Sequence, residues 1–246
     1  MAKRSDEGTG KTAMIEFDQI VIGANFFGCG LAARLGKAKI IEPSCVIGAD
    51  FALTFNSGEE WDVKPEHPEA AEYLSLLRKH RALDDEGRTA VAAFAPLLAE
   101  WSRKRELDIE LSCSVVAIEG QELRVIGVDG RKIYRAGEIY DALPKTKSRK
   151  FLTGLVAGPE GLEDGQRGGF VFRQSLHPGE YYVKLECFGE DGWELARRTW
   201  HQQWASRPKE LQDCRLLLLG THFDLCNYPN PVAALDAGLL GKGGKL

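Results

Sequence analysis

The chain has 246 residues, 43% of them hydrophobic, with a formal net charge of -4. That length supports one sizeable core or two joined ones. The acidic balance argues against a dedicated nucleic-acid binder, which would carry a basic stripe. No apolar run reaches the length of a membrane span, and the opening "MAKRSDEGTGKTAMIEFDQ" lacks the apolar core of a signal peptide. The expectation is therefore a cytoplasmic protein that handles a small molecule, with neither nucleic acid nor membrane as partner. Self-association or a partner subunit is left open. Six cysteines without a CxxC pair read as reduced thiols.

In chain order, residues 1–16 read as a flexible tail. "GTGKTA" at 8–13 ends like a phosphate-binding P-loop, but the glycine needed five residues before Gly10 is Ser5, and no strand precedes it. "QIVIG" at 19–23 is a β-branched apolar run suited to a buried parallel strand. "FGCGLAARLG" then predicts a helix ended by Gly36, and "KIIE" a second strand ending on Glu42. Segment 17–58 is thus a βαβ unit followed by a glycine-bearing loop at the strand ends, where loops often line a ligand site.

Residues 59–108 predict two helices forming a cap-like insertion. Ala70, Tyr73, Leu74 and Leu77 share helical spacing, as do Val91, Phe94, Leu98 and Trp101, with a bend or restart at Pro96. From Ile109 the period shortens: "IELSCSVVAIEG" and "ELRVIGVDGRKIYRAG" predict a meander turning at Asp129 and Gly130, leading into "EIYDAL" as one more core strand over 109–143. Residues 144–214 predict a small β-rich region with a helix carrying Trp193, Trp200 and Trp204 on one stripe, read as core-facing. Residues 215–246 predict a closing buried strand, "RLLLLG", and a last helix.

The loop "GANFFG" carries the chemistry. A dinucleotide-binding turn needs a tight bend, close backbone approach to a diphosphate and a helix N-terminus aimed at its charge. Gly23 and Gly28 stand at the spacing of the first and third glycines of such a turn, and Glu42 stands where an acid accepts bonds from ribose hydroxyls. Asn25 occupies the middle glycine's position. Asparagine tolerates positive φ and its amide can donate to a phosphate oxygen. An α/β fold with a lost nucleotide site is the alternative.

The segments "DQIVIGANFFGCGLAARLGKAKIIEPSCVIGADF", "RVIGVDGRKIYRAGEIYDAL" and "LLLLGTHFDLCNYPNPVAALDAGLLG", in that order, resemble the FAD-dependent oxidoreductases with a glutathione-reductase-like, Rossmann-type FAD domain. The resemblance implies an α/β fold: a three-layer FAD/NAD(P)-binding Rossmann-like domain with a β-meander, plus a small substrate or cap region of helices and antiparallel strands. It implies FAD as cofactor and hydride transfer from a small organic substrate to the flavin. It places Gly23, Ala24, Asn25, Phe26, Phe27 and Gly28 at the diphosphate, and Glu42 and Pro43 at the adenine ribose. Val115 and Val116 would pass the adenine, Asp224 would lie near the ribityl chain or a phosphate, and Asn230, Pro231 and Val232 would aim backbone donors at the flavin. Departures are Asn25, "YDALPKT" where the family ends its strand in Ala-Thr-Gly, and short substrate insertions. A non-catalytic flavin-fold binding or partner subunit, and an NAD(P) enzyme, remain alternatives; Glu42 disfavours the 2′-phosphate of NADP.

"HFDLC" alternates His222, Asp224 and Cys226, but the spacing matches no standard zinc site, and no metal is assigned. His222 is the candidate catalytic residue, to orient substrate or move a proton. Cys29 reads as a buried inert thiol despite its place at a helix start. "PKTKSRK" at 144–150 reads as a solvated basic loop.

Overall fold

The computed structural model describes residues 14–145, 149–225 and 227–242, so the P-loop-like "GTGKTA" lies outside the described residues. Strand β1 (Met14–Ile22) ends in Ile20, Val21 and Ile22, all buried. It pairs in parallel with β2 (Lys39–Ile41) and with β6 (Gly130–Asp141). Strand β3 (Asp108–Glu110) extends the parallel part beyond β2. On the other side β5 (Glu122–Gly127) and β4 (Ser114–Glu119) run antiparallel from β6.

The order β3-β2-β1-β6-β5-β4 sets β3 and β4 at opposite edges, although only residues 111–113 separate them. Six flat strands at ~4.8 Å spacing would hold those edges about 24 Å apart. The four Cα steps from Glu110 to Ser114 reach at most about 15 Å. The sheet therefore curls, and the meander folds back over the parallel strands. Ile20, Ile22, Ile41, Leu123, Val125 and Tyr134 fill the space between them. "IELSCSVVAIEG" is thus two strands in different parts of the sheet, broken at Ser112, a non-glycine residue with φ of 54°. "EIYDAL" is no separate strand: it is the end of the 12-residue β6, whose first half belongs to the meander.

The opposite face of the parallel strands is covered by helices. Helix α1 (Phe26–Leu35) lies against α6 (Pro231–Leu239). Between them in sequence come the one-turn α2 (Ala49–Ala52), α3 (Pro68–Lys79) and α4 (Phe94–Lys104). Tyr73, Leu77, Phe94, Leu98 and Trp101 join Phe26, Leu31 and Leu235 in one core. Helices α3 and α4 are therefore part of the helical layer and not a cap, because their apolar stripes are spent on α1 and α6. A 3₁₀ turn at Val91–Ala93 precedes α4, which tolerates Pro96 in its first turn, where no intrahelical N–H bond is lost.

A second, antiparallel sheet has the order β11-β7-β10-β9-β8, comprising β7 (Arg149–Ala157), β8 (Gly165–Arg167), β9 (Phe170–Gln174), β10 (Glu180–Phe188) and β11 (Arg215–Leu219). Helix α5 (Trp193–Ala205) packs Trp200 and Trp204 on Phe170, with ring centroids 5.4 and 5.5 Å apart. The Trp193, Trp200 and Trp204 stripe thus faces a core. Strand β11 corrects the expectation of a buried closing strand in the nucleotide domain. It sits at the edge of the second sheet, antiparallel to β7, with a bulge between Leu216 and Leu218 and with Leu218 exposed. A four-leucine run has no period that distinguishes a buried parallel strand from a bulged edge strand.

Candidate functional site

The C-terminal ends of β1, β2 and β6 converge on the turn at residues 23–28. Gly23 has φ of 107°, a conformation open to glycine and costly for other residues. Its N–H donates to Ile41 O at 2.7 Å. Gly28 brings the helix so close to the strand that a Cβ there would lie on the carbonyl oxygen of Gly23. These two glycines hold the bend and the close helix–strand approach.

Glu42 is buried at the end of β2 and spans two loops. Its Oε2 accepts from Ala24 N at 2.6 Å, and its Oε1 accepts from Ser44 N at 2.7 Å. A carboxylate has about four lone-pair positions, so two stay open to further donors.

Asn25 departs from the expectation of positive φ. It has φ of -74° and ψ of 178° and is the N-cap of α1. Its Oδ1 accepts from Gly28 N at 2.7 Å, and its Nδ2 donates to Ala142 O at the end of β6. The amide expected to reach a phosphate is therefore committed to the protein at both ends. Substituting the middle glycine with a capping residue satisfies the helix internally.

A second protein group meets the same helix end. The Asp50 carboxyl, from the first turn of α2, lies near the backbone N–H of Phe26, which favours its ionised form. Its Oδ1 is buried without a hydrogen-bond partner. Desolvation, with smaller contributions from Glu42 and Asp224, raises its pKa to about 7 against the lowering effect of the backbone donors. The folded chain thus holds a proton on Asp50 that the unfolded chain releases near pH 4. Wild-type stability should fall as pH rises from about 4 to about 7, by up to a few kcal/mol. Asp50→Asn cannot ionise in either state, so its melting temperature is expected to match wild type near pH 4 and exceed it by several degrees at pH 8. A difference that is the same at both pH values would count against a buried acid.

Two adjoining cavities open over this region. One, of about 380 Å³, is lined by Asn25, Phe27, Asp50, Asn56, Asp224 and Tyr228 among others. The other, of about 870 Å³, is lined by Asn25, Glu42, Pro43, Asp50, Lys150 and His222 among others. Asn25 and Asp50 belong to both walls, so the two form one groove across the strand ends, where open α/β sheets bind ligands. Phe27 stacks on Tyr228 with centroids 5.8 Å apart and planes 12° apart. Ala24 and Phe26 are buried beneath, with the Phe26 ring against Phe51.

Other expected positions do not join the groove. Val116 is 58% exposed on β4, and Val115 packs into the meander core; neither lines the two cavities. Asn230 caps α6: its Oδ1 accepts from Ala233 N at 2.8 Å, and its Nδ2 donates to Glu59 O at 2.9 Å and Glu60 O at 3.3 Å. Pro231 has no N–H, and Asn230 and Val232 line a different, smaller cavity beside Pro65 and Pro229. Of the backbone donors expected to meet a flavin, Ala233 N is therefore taken by the Asn230 side chain.

Asp224 does line the groove, but its Oδ2 is 3.1 Å from Lys184 Nζ, which also donates to Asn56 Oδ1 at 3.2 Å. His222 is exposed, with Nδ1 3.0 Å from Thr221 Oγ1. The two residues thus engage different partners, and Cys226 lies outside the described residues. Cys29 is fully buried, and burial raises its thiol to about 12, consistent with an inert role. In "PKTKSRK", Lys150 is buried, donating to Gly189 O at 2.9 Å with its ammonium 4.3 Å from the Phe223 ring centre.

Sequence reading missed Asp50, Asn56, Phe51, Tyr228, Lys184 and Lys150. Lys184 had a partial signal: it breaks the apolar run in "YYVKL", although Glu186 two residues on shares its face of the strand. Asp50 had none, because a single acid in an aperiodic loop carries no period.

The architecture matches solved structures over nearly its whole length. The chain is similar to p-nitrophenol 4-monooxygenase PnpA from Pseudomonas putida, with 14% identity, a TM-score of 0.56, and 92% of this chain and 77% of that one covered. The Rossmann-like fold, that of FAD-binding neighbours, is present. A geranylgeranyl bacteriochlorophyll reductase-like protein from Thermoplasma acidophilum gives 10% identity and a TM-score of 0.59 over 93% of this chain and 77% of that one. The myxobacterial chondrochloren halogenase CndH, a variant of FAD-dependent halogenases, gives 14% and 0.51 over 92% and 71%. Against some longer neighbours the chain spans less, 51% of BexE for instance. No family model matches the chain, and no curated protein matches it. Among the described residues no helix is long and apolar enough to cross a membrane.

Proposed function

We propose that the chain is an FAD-binding oxidoreductase whose nucleotide domain is of the glutathione-reductase-like subtype and whose substrate is a small organic molecule. The reading is carried by one juxtaposition: the Gly23–Gly28 turn, the buried Glu42 and a continuous groove meet at the ends of three parallel strands. The residues fit the adenosine half, since Glu42 has lone pairs left for ribose hydroxyls and Pro43 walls the same cavity. They leave a place for a diphosphate between Asn25 and Asp50, which line both cavities. When bound, FAD supplies hydride acceptance.

The chain's own residues do the rest. Glu42 holds the ribose while bridging Ala24 and Ser44. Phe27 and Tyr228 exclude water from one end of the groove. The His222 ring, steadied by Thr221 through Nδ1, keeps Nε2 for a substrate, to orient it or move a proton.

A non-catalytic flavin-fold subunit is the second reading, favoured by the capped N-terminus of α6, where the Asn230 side chain takes the Ala233 N–H that could otherwise stabilise a reduced flavin. Titrating the purified full chain with FAD at pH 6, followed by flavin absorbance and fluorescence, tests the first reading. Saturable binding is expected, weakened about tenfold by Glu42→Gln, as for about 1.4 kcal/mol. A chain with no FAD affinity would overturn it, and bound flavin that no donor reduces would favour the second.

A further inference from the structure

We infer that Asp50 is the diphosphate-binding residue of the groove, acting as a neutral carboxylic acid that donates a hydrogen bond to a phosphate oxygen, so that nucleotide binding carries a proton with it. The inference rests on the nucleotide-binding reading above. Helix α1 offers a ligand few donors of its own: Gly28 N is bonded to Asn25 Oδ1, Cys29 N to Asn25 O, and Phe26 N lies beside Asp50. An ionised Asp50 would therefore hold the diphosphate's place with a like charge. A protonated Asp50 replaces that repulsion with an O–H donor.

Asp50 belongs to the wall common to both cavities, and its buried Oδ1 has no hydrogen-bond partner, so a proton there has no competing acceptor in the protein. Bound diphosphate would favour the protonated form further. Above the apo pKa each binding event takes one proton from solvent; the carboxyl O–H forms and no other bond changes.

The groups around Asp50 are Glu42 from the end of β2, Asp224 and Tyr228 from the loop before α6, Cys29 from α1 and Tyr73 from α3. Asp141, Lys145 and Lys242 line the smaller cavity, and Cys45, Lys150 and His222 the larger one. Lys184 is bonded to Asp224. Of these, His222 lines the larger cavity together with Asp50, so it needs its own control.

The test measures the dissociation constants of FAD and of ADP-ribose by calorimetry on the full chain from pH 5.5 to pH 9. ADP-ribose carries the same diphosphate diester without the flavin. Both constants are expected to be flat at low pH and to rise toward tenfold per pH unit above about 7. Asp50→Asn should abolish that slope, while His222→Gln should keep it. FAD binding with a flat wild-type profile, or with a slope that survives in Asp50→Asn, would overturn the inference and leave the flavin reading standing. Sloped ADP-ribose binding without FAD binding would uphold the inference and sink the flavin reading. Failure of both ligands at every pH would overturn both.

Discussion

Gly238→Ala is expected to destabilise the protein by about 3–5 kcal/mol, at the severe end of overpacking. Thermal melting should move down by roughly 10 °C, given about 2–4 °C per kcal/mol for a chain of this size. A Cβ on Gly238 would lie on the carbonyl oxygen of Phe27 and 2.7 Å from the backbone nitrogen of Leu31. On the other helix, a Cβ on Gly30 would lie on Leu235 O and 3.1 Å from Leu239 N. Helices α1 and α6 therefore cross backbone against backbone. The obstructing atoms belong to helix main chains that cannot rotate away. Parting the helices would loosen Phe27, Leu31, Leu235 and Leu239, all buried at the crossing. Helix propensity alone gives the opposite sign, since alanine is favoured over glycine in a helix by about 1 kcal/mol. A melting temperature equal to or above wild type would refute the close crossing. Because α1 begins at the nucleotide turn, FAD affinity should fall in the same variant.

The parts of this fold legible in the sequence were those where chemistry repeats locally. "QIVIG", Gly23, Gly28 and Glu42 combine a β-branched run, two backbone constraints and an acid at fixed spacing, and the structure brings them together at the C-terminal ends of β1 and β2. The tryptophans of α5 followed from helical period in the same way. What was illegible depends on partners far away in the chain. Asn25 read as a phosphate donor because its sequence position allows that, whereas its side chain is spent on Gly28 and on Ala142, 117 residues away. Asn230 reads as the open start of a helix, but its side-chain amide is spent on Glu59 O and Glu60 O, some 170 residues away. Four leucines gave β11 no means of declaring which sheet it joins, since both settings bury apolar surface.

Lys184→Met is expected to cost about 3–5 kcal/mol, for an electrostatic reason. Lys184 and Asp224 are 6% and 2% exposed and 3.1 Å apart, so methionine would take the Lys184 ammonium away from Asp224 in a poorly solvated place, the costly way to break a buried pair. The pair itself need not stabilise the protein. Lys184→Met combined with Asp224→Leu should recover most of the loss, because both desolvation costs disappear together. Urea unfolding of the two single variants and the double one gives the coupling directly. Additive losses would show that the residues act separately. The same cycle, repeated with FAD affinity as its readout, separates scaffold from site. Lys184 ties β10 of the second sheet to Asn56, after α2, and to Asp224, in the loop before α6, and both acceptors line the smaller cavity. If the lysine only holds those two walls in place, the double variant should regain affinity along with stability. If affinity stays low after stability returns, the charge of the pair acts on the ligand itself.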